Sequence, residues 1–163
     1  MELVTGRATV DDVDEFVARL GAVGDEHGST VQAFDARYVV DRHHLERAVA
    51  LADRAISRDA AIADDRAMEI LCYTAGNRQI EVALEVGVPF GRSPVVAVVD
   101  GGDETAAAAA VGAVIDTDTD PLGEYDPAMV REFYDIGDAE VEATDAGIPA
   151  LVRERVALLV VER

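Results

Sequence analysis

Hydrophobic positions along the chain switch repeatedly between a two-residue and a 3.6-residue period. Leu3 to Ala8 reads as a first strand. Thr9 follows as an N-cap, and Asp12 three residues on completes a weak capping box. Val13, Phe16, Val17 and Leu20 then share one helical face, which Gly21 and Gly24 are expected to end. Thr30 to Asp35 predicts a second strand, and Tyr38 to Val40 a short extended piece. Asp41 caps a second helix whose inner face carries Leu45, Ala48, Val49, Ala52 and Ile56.

Met68 to Thr74, MEILCYT, is apolar enough to read as a strand covered on both sides. Gly76 breaks it, and Asn77 opens a short third helix running to Gly87. Val95 to Val99 is the clearest strand and is closed by the Asp100-Gly101-Gly102 turn. An Ala-rich helix to about Val111 follows, and Val114 and Ile115 suggest a further strand before the acidic loop Asp116 to Asp120. Asp126-Pro127 starts a helix with Pro at its first position. Leu151, Val152, Val156, Leu159 and Val160 form a last helical stripe. Strands alternating with helices predict an α/β (or α+β) fold, one layered domain over residues 1–163 with a mixed sheet flanked by helices.

Composition changes this picture in one respect. The chain has 163 residues, half of them hydrophobic, so it can bury a core and is not wholly disordered. Net charge is −19, all 14 basic residues are Arg, and the 33 acidic ones are spread along the whole length. Such a shell repels itself at low salt, and at about 1 M salt, where the Debye length is about 3 Å, that repulsion is screened. The distribution points to a protein adapted to molar salt; an acidic patch recruiting a basic partner would be concentrated instead. With no signal-like block and no apolar run near the roughly 20 residues of a membrane span, cytoplasmic residence without membrane contact is expected.

Catalytic signatures are missing: no phosphate loop, no GxGxxG after a strand, no GxSxG elbow. The single Cys72 falls in an apolar stretch and is expected to be an inert core thiol. His43 and His44 diverge by about 100° on a helix and cannot chelate one ion together. They are expected to form a polar first turn, and no metal or cofactor site is anticipated. The acidic loops are expected to be solvated.

The segment Met68 to Val88 stands apart. It places Asn77, Arg78 and Gln79 at a helix start, where orphan N–H groups and a guanidinium fork can receive a phosphate or read a nucleotide end. The same residues fit a plainer arrangement, with Asn77 capping the helix and Arg78 paired to a carboxylate.

This segment, Glu69-Ile70-Leu71-Cys72-Tyr73-Thr74-Ala75-Gly76-Asn77-Arg78-Gln79-Ile80, resembles the E-I-L-x-Y-x-x-G-x-R-Q-I motif of archaeal members of the Cgi/TPRKB family of KEOPS subunits. Phe34-Asp35-Ala36, Tyr38-Val39, His44-Leu45, Ala48, Ala83, Gly87-Val88 and the Val95 to Val99 strand extend the resemblance, and the charge fits a haloarchaeal type. KEOPS makes threonylcarbamoyladenosine beside the anticodon of tRNAs that read codons beginning with A. The resemblance implies a non-enzymatic subunit that binds the small atypical kinase of that complex. Through the kinase it would join the catalytic threonylcarbamoyl-transfer subunit, and it would help recruit tRNA by its 3′ CCA end. It implies tRNA docking on Gly76, Asn77, Arg78 and Gln79, with Ile80 packing inward. The kinase contact is placed on Leu151, Val152, Val156 and Leu159, a stripe that equally fits ordinary core packing. Two other readings remain: a kinase-binding scaffold or regulator without RNA contact, and a small-molecule-binding regulatory domain. With so few cations, RNA affinity is expected to rest on stacking and hydrogen bonds, with a shallow or inverted salt dependence.

Overall fold

The structure is a computed structural model and describes residues 1–161. Along the chain run β1 (Glu2–Val10), α1 (Val13–His27), β2 (Thr30–Asp35), α2 (Arg42–Ser57), α3 (Arg66–Ala75) and α4 (Ile80–Ala83). They are followed by β3 (Gly91–Asp100), α5 (Glu104–Gly112), α6 (Pro127–Phe133), α7 (Asp138–Ala143) and α8 (Gly147–Leu158). Two 3-10 turns, Ala36–Tyr38 and Leu84–Val86, complete the elements. The expected α/β class holds. The sheet is antiparallel rather than mixed, in the order β1-β3-β2. No helix of the described residues is long and apolar enough to cross a membrane.

The chain divides into two compact units, residues 1–36 with 87–122, and residues 37–86 with those from Gly123 on. In the first, Val4, Ala8 and Val10 of β1 and Val95, Ala97 and Val99 of β3 join Leu20 of α1 and Ala107 and Val111 of α5 in one core. Two-residue alternation makes this face. Thr9 continues β1 opposite Arg92, so it is Asp12 that caps α1, accepting from the Glu15 N–H at 3.1 Å. The helix passes through Gly21 and Gly24 and ends at Gly28, whose φ of 67° is the left-handed ending glycine favours. Gly24 serves packing instead of termination: a Cβ there would sit 2.5 Å from the Ser29 carbonyl oxygen. Val114 and Ile115 form no strand; only Asp116 bridges to Arg7, exchanging two backbone hydrogen bonds of 2.8 Å.

In the second unit, α2, α3 and α8 pack together. A further core gathers Val40, Val130, Tyr134, Ile136, Leu151 and Val152. Asp41 caps α2 by accepting from the His44 N–H at 2.8 Å, and Asp126 caps α6 with Pro127 at its first position. Tyr38 ends a 3-10 turn in place of the expected extended piece. The largest difference is at Met68 to Thr74, which is helical in α3. Every residue from Glu69 to Ala75 is buried, and a short, mostly apolar run enclosed in this way reads equally well as a buried strand.

Candidate functional site: the loop between α3 and α4

The loop begins where α3 ends. Gly76 lies in the left-handed region at φ 61°, its N–H donates to the Tyr73 carbonyl, and the Asn77 N–H donates to the Cys72 carbonyl, both at 3.1 Å. This Schellman arrangement satisfies two carbonyls the helix would leave orphaned. The positive φ is what favours glycine here; a Cβ on residue 76 would add a tight contact, 3.3 Å from the Arg155 carbonyl oxygen of α8.

Asn77 does not open a helix. Its Oδ1 accepts from the Gln79 N–H at 2.8 Å, closing a small side-chain turn, and α4 starts only at Ile80. With four residues, α4 has little dipole to offer an anion. Arg78 and Gln79 are exposed, and among the described residues the Arg78 side chain has no hydrogen-bond or ion-pair partner. Ile80 does not pack inward as expected; it is 38% exposed and Leu84, one turn further, is 52% exposed. Guanidinium, amide and two apolar side chains thus share a short exposed stretch.

What holds the loop is a buried polar cluster. The Thr74 carbonyl accepts from the His44 Nε2–H at 2.8 Å and from the Tyr134 hydroxyl at 3.0 Å. On its other side the His44 ring accepts the Val40 N–H at Nδ1, 3.3 Å away. One nitrogen accepting and one donating fixes a neutral imidazole with its proton on Nε2. Burial agrees, pulling the His44 pKa down to about 4, and it holds the Tyr134 hydroxyl protonated, well above the usual phenol range. The adjacent histidines therefore separate: His43 is exposed beside Glu46 and His44 is fully buried, so they do not share a polar turn. Arg155 braces the other side, donating to the carbonyls of Tyr134 and Asp135 and to Glu140, whose carboxyl it holds below the usual range. Sequence reasoning missed this support, and it carries no local signal: His44 and Tyr134 are 90 residues apart.

At the start of α3, the buried Glu69 carboxylate accepts from the Ile62 N–H at 2.8 Å and the Ala63 N–H at 2.7 Å. Cys72 is buried, and burial together with the neighbouring Glu69 raises its thiol to about 11, so it stays protonated. Among the described residues no group of three or more His, Cys, Asp or Glu is placed to hold a metal ion. Leu151, Val152, Val156 and Leu159 are all buried, so they offer no surface while α8 is packed in this way. The exposed apolar residues near that end of the chain are Leu158 and Val161.

Fold and site define an α/β protein that presents a short loop, anchored by buried hydrogen bonds, whose guanidinium has no partner among the described residues. A family model described as kinase binding protein CGI-121 matches residues 10–159. The chain belongs to this family of kinase-binding proteins. A comparison with curated proteins gives no match.

Proposed function

We propose that the protein is a non-catalytic, kinase-binding subunit of the KEOPS complex, in a cytoplasm of high salt, and that it recruits tRNA through the loop after α3. Membership of the kinase-binding family supports the kinase half. For the RNA half, the observation that carries the reading is Arg78. In a chain with 33 acidic residues to 14 Arg, it has no partner among the described residues and sits on a loop held by the His44 and Tyr134 cluster. A planar guanidinium in this setting suits a phosphate or the face of an unstacked base, while Gln79 and Asn77 offer amides to base edges. Ile80 and Leu84 supply apolar surface beside it. The kinase would meet the exposed side of α8 and the turn after it, including Leu158 and Val161, with Leu151, Val152, Val156 and Leu159 holding that surface in shape from below.

The test is binding of the full chain, in multimolar KCl, to one tRNA with its 3′ CCA end intact and to the same tRNA trimmed. The intact end should be preferred, and Arg78→Ala should abolish the preference while leaving kinase binding in place. Equal affinity for both tRNAs, unchanged by Arg78→Ala, would instead favour a kinase-binding scaffold without RNA contact at this loop.

A further inference from the structure

The outer face of α2 carries charge that the fold leaves unanswered. Arg47, Arg54 and Arg58 are separated by seven and four residues, so at 100° per residue they fall within about 40° of one another. With the helical rise they span about 16 Å along the axis. All three are exposed, and none has a hydrogen-bond or ion-pair partner for its side chain among the described residues. Other arginines in this acidic chain do find carboxylates: Arg42 meets Glu46, Arg66 meets Asp53, Arg153 meets Asp41 and Arg155 meets Glu140. The two acids on the exposed side of α2 itself, Glu46 and Asp53, are thus already turned to other cations. Arg54 and Arg58, four apart, also repel each other as a like-charged helical pair. The carbonyl end of α2 favours a cation at Arg54 and Arg58, but it gives no reason for Arg47 or for the alignment of all three.

We propose that the stripe is a track for the phosphate backbone of RNA, extending away from the loop after α3. Its position supports continuity with that loop: Arg47 lies one turn beyond His44, whose ring bonds the Thr74 carbonyl two residues before Gly76. The linear spacing suits a polyanion whose charges repeat along a line, whereas a small anion needs donors that converge. Guanidinium forks also match phosphate oxygens in pairs. The inference rests on the RNA-binding reading above but involves different residues and a part of the RNA other than its end.

The experiment compares the wild-type chain with the triple variant Arg47→Gln, Arg54→Gln, Arg58→Gln on the intact and trimmed tRNAs, across a KCl series in which both proteins keep their circular dichroism. Gln is nearly as good a helix former as Arg, so α2 should be retained. The variant should bind both RNAs roughly tenfold more weakly or worse at the lowest KCl. The slope of log affinity against log salt should change by up to about 2, from three contacts at about 0.7 each. A triple Arg→Lys variant, which keeps the charge, should retain most of the wild-type slope. Unchanged affinity and slope in the Gln variant would overturn the track, as would absence of binding to either RNA by the wild type. Loss of kinase binding with RNA binding intact would also overturn it, assigning the stripe to an acidic protein surface. If the wild type ignores the 3′ end yet the variant weakens both RNAs, the track stands and the end-recognition reading fails.

Discussion

At the scale of single residues, the site depends on His44 being neutral. A proton on Nδ1 would face the Val40 N–H, donor against donor, and the fully buried ring would lose its acceptor. The sign of the resulting pH dependence follows from the direction of the shift. The folded ring protonates only near pH 4, against an ordinary 6.5, because burial disfavours its charged form. Above about 6.5 neither state holds the proton and the full contribution is present. As pH falls from there the unfolded chain takes up a proton the fold refuses, so stability is lost progressively down to about pH 4. At about 1.4 kcal/mol per pH unit the loss approaches about 3 kcal/mol. Urea unfolding at fixed KCl should show the wild type losing stability more steeply than His44→Gln between pH 6.5 and 4. Parallel pH profiles would mean that the ring is open to water. None of this is legible locally, since the ring's position is decided by Thr74 and Tyr134, 30 and 90 residues away. Gly76 was legible, because a glycine ahead of polar residues reports a turn whether a strand or a helix precedes it.

At the scale of elements, α3 is the organising piece, and it is also where sequence pattern misleads. A run such as MEILCYT is compatible with a buried strand or a helix enclosed by α2 and α8, and periodicity does not separate the two in so short an apolar run. Glu69 contained the clue in retrospect. A carboxylate in the middle of a doubly covered strand has little backbone within reach that is not already in a ladder, whereas on α3 it turns back to the N–H groups of Ile62 and Ala63. Strands with clean alternation or an unambiguous turn, β2 and β3, were readable, as were the caps Asp41 and Asp126. The short α7 was not, having no buried residue of its own. The carboxylate ties the segment before α3 to the helix by charge-assisted hydrogen bonds, each stronger than a neutral one. Glu69→Gln should therefore destabilise the protein by about 1–3 kcal/mol. It should also speed hydrogen exchange at the Ile62 and Ala63 amides well beyond the change at Val98 in β3. A uniform rise at all three amides would show that the substitution acts on the whole fold and not on this tether.

At the scale of the whole molecule, chain connectivity and charge make opposing contributions. Each compact unit is assembled from two separated stretches of chain, 1–36 with 87–122 and 37–86 with the residues from Gly123 on, so neither can be completed from one continuous segment. Interleaving of this kind couples the closure of one unit to that of the other, and we propose that the two melt as one Cgi/TPRKB-like domain. Against this, 33 acidic residues face only 14 Arg, so most carboxylates have no cation of their own and repel one another in the compact state. Screening shortens the reach of that repulsion from about 10 Å at 0.1 M salt to about 3 Å at 1 M. The melting temperature should therefore climb steeply over the first molar of KCl, in a single transition whose calorimetric and van't Hoff enthalpies agree. Chloride is the informative anion here, because sulfate strengthens apolar burial in any protein and would hide the electrostatic part. A melting temperature insensitive to KCl would remove the reading of the surface as an adaptation to molar salt. Two resolved transitions would show instead that the interleaved units unfold independently, and the effects expected of His44 and Glu69 would then be confined to the second of them.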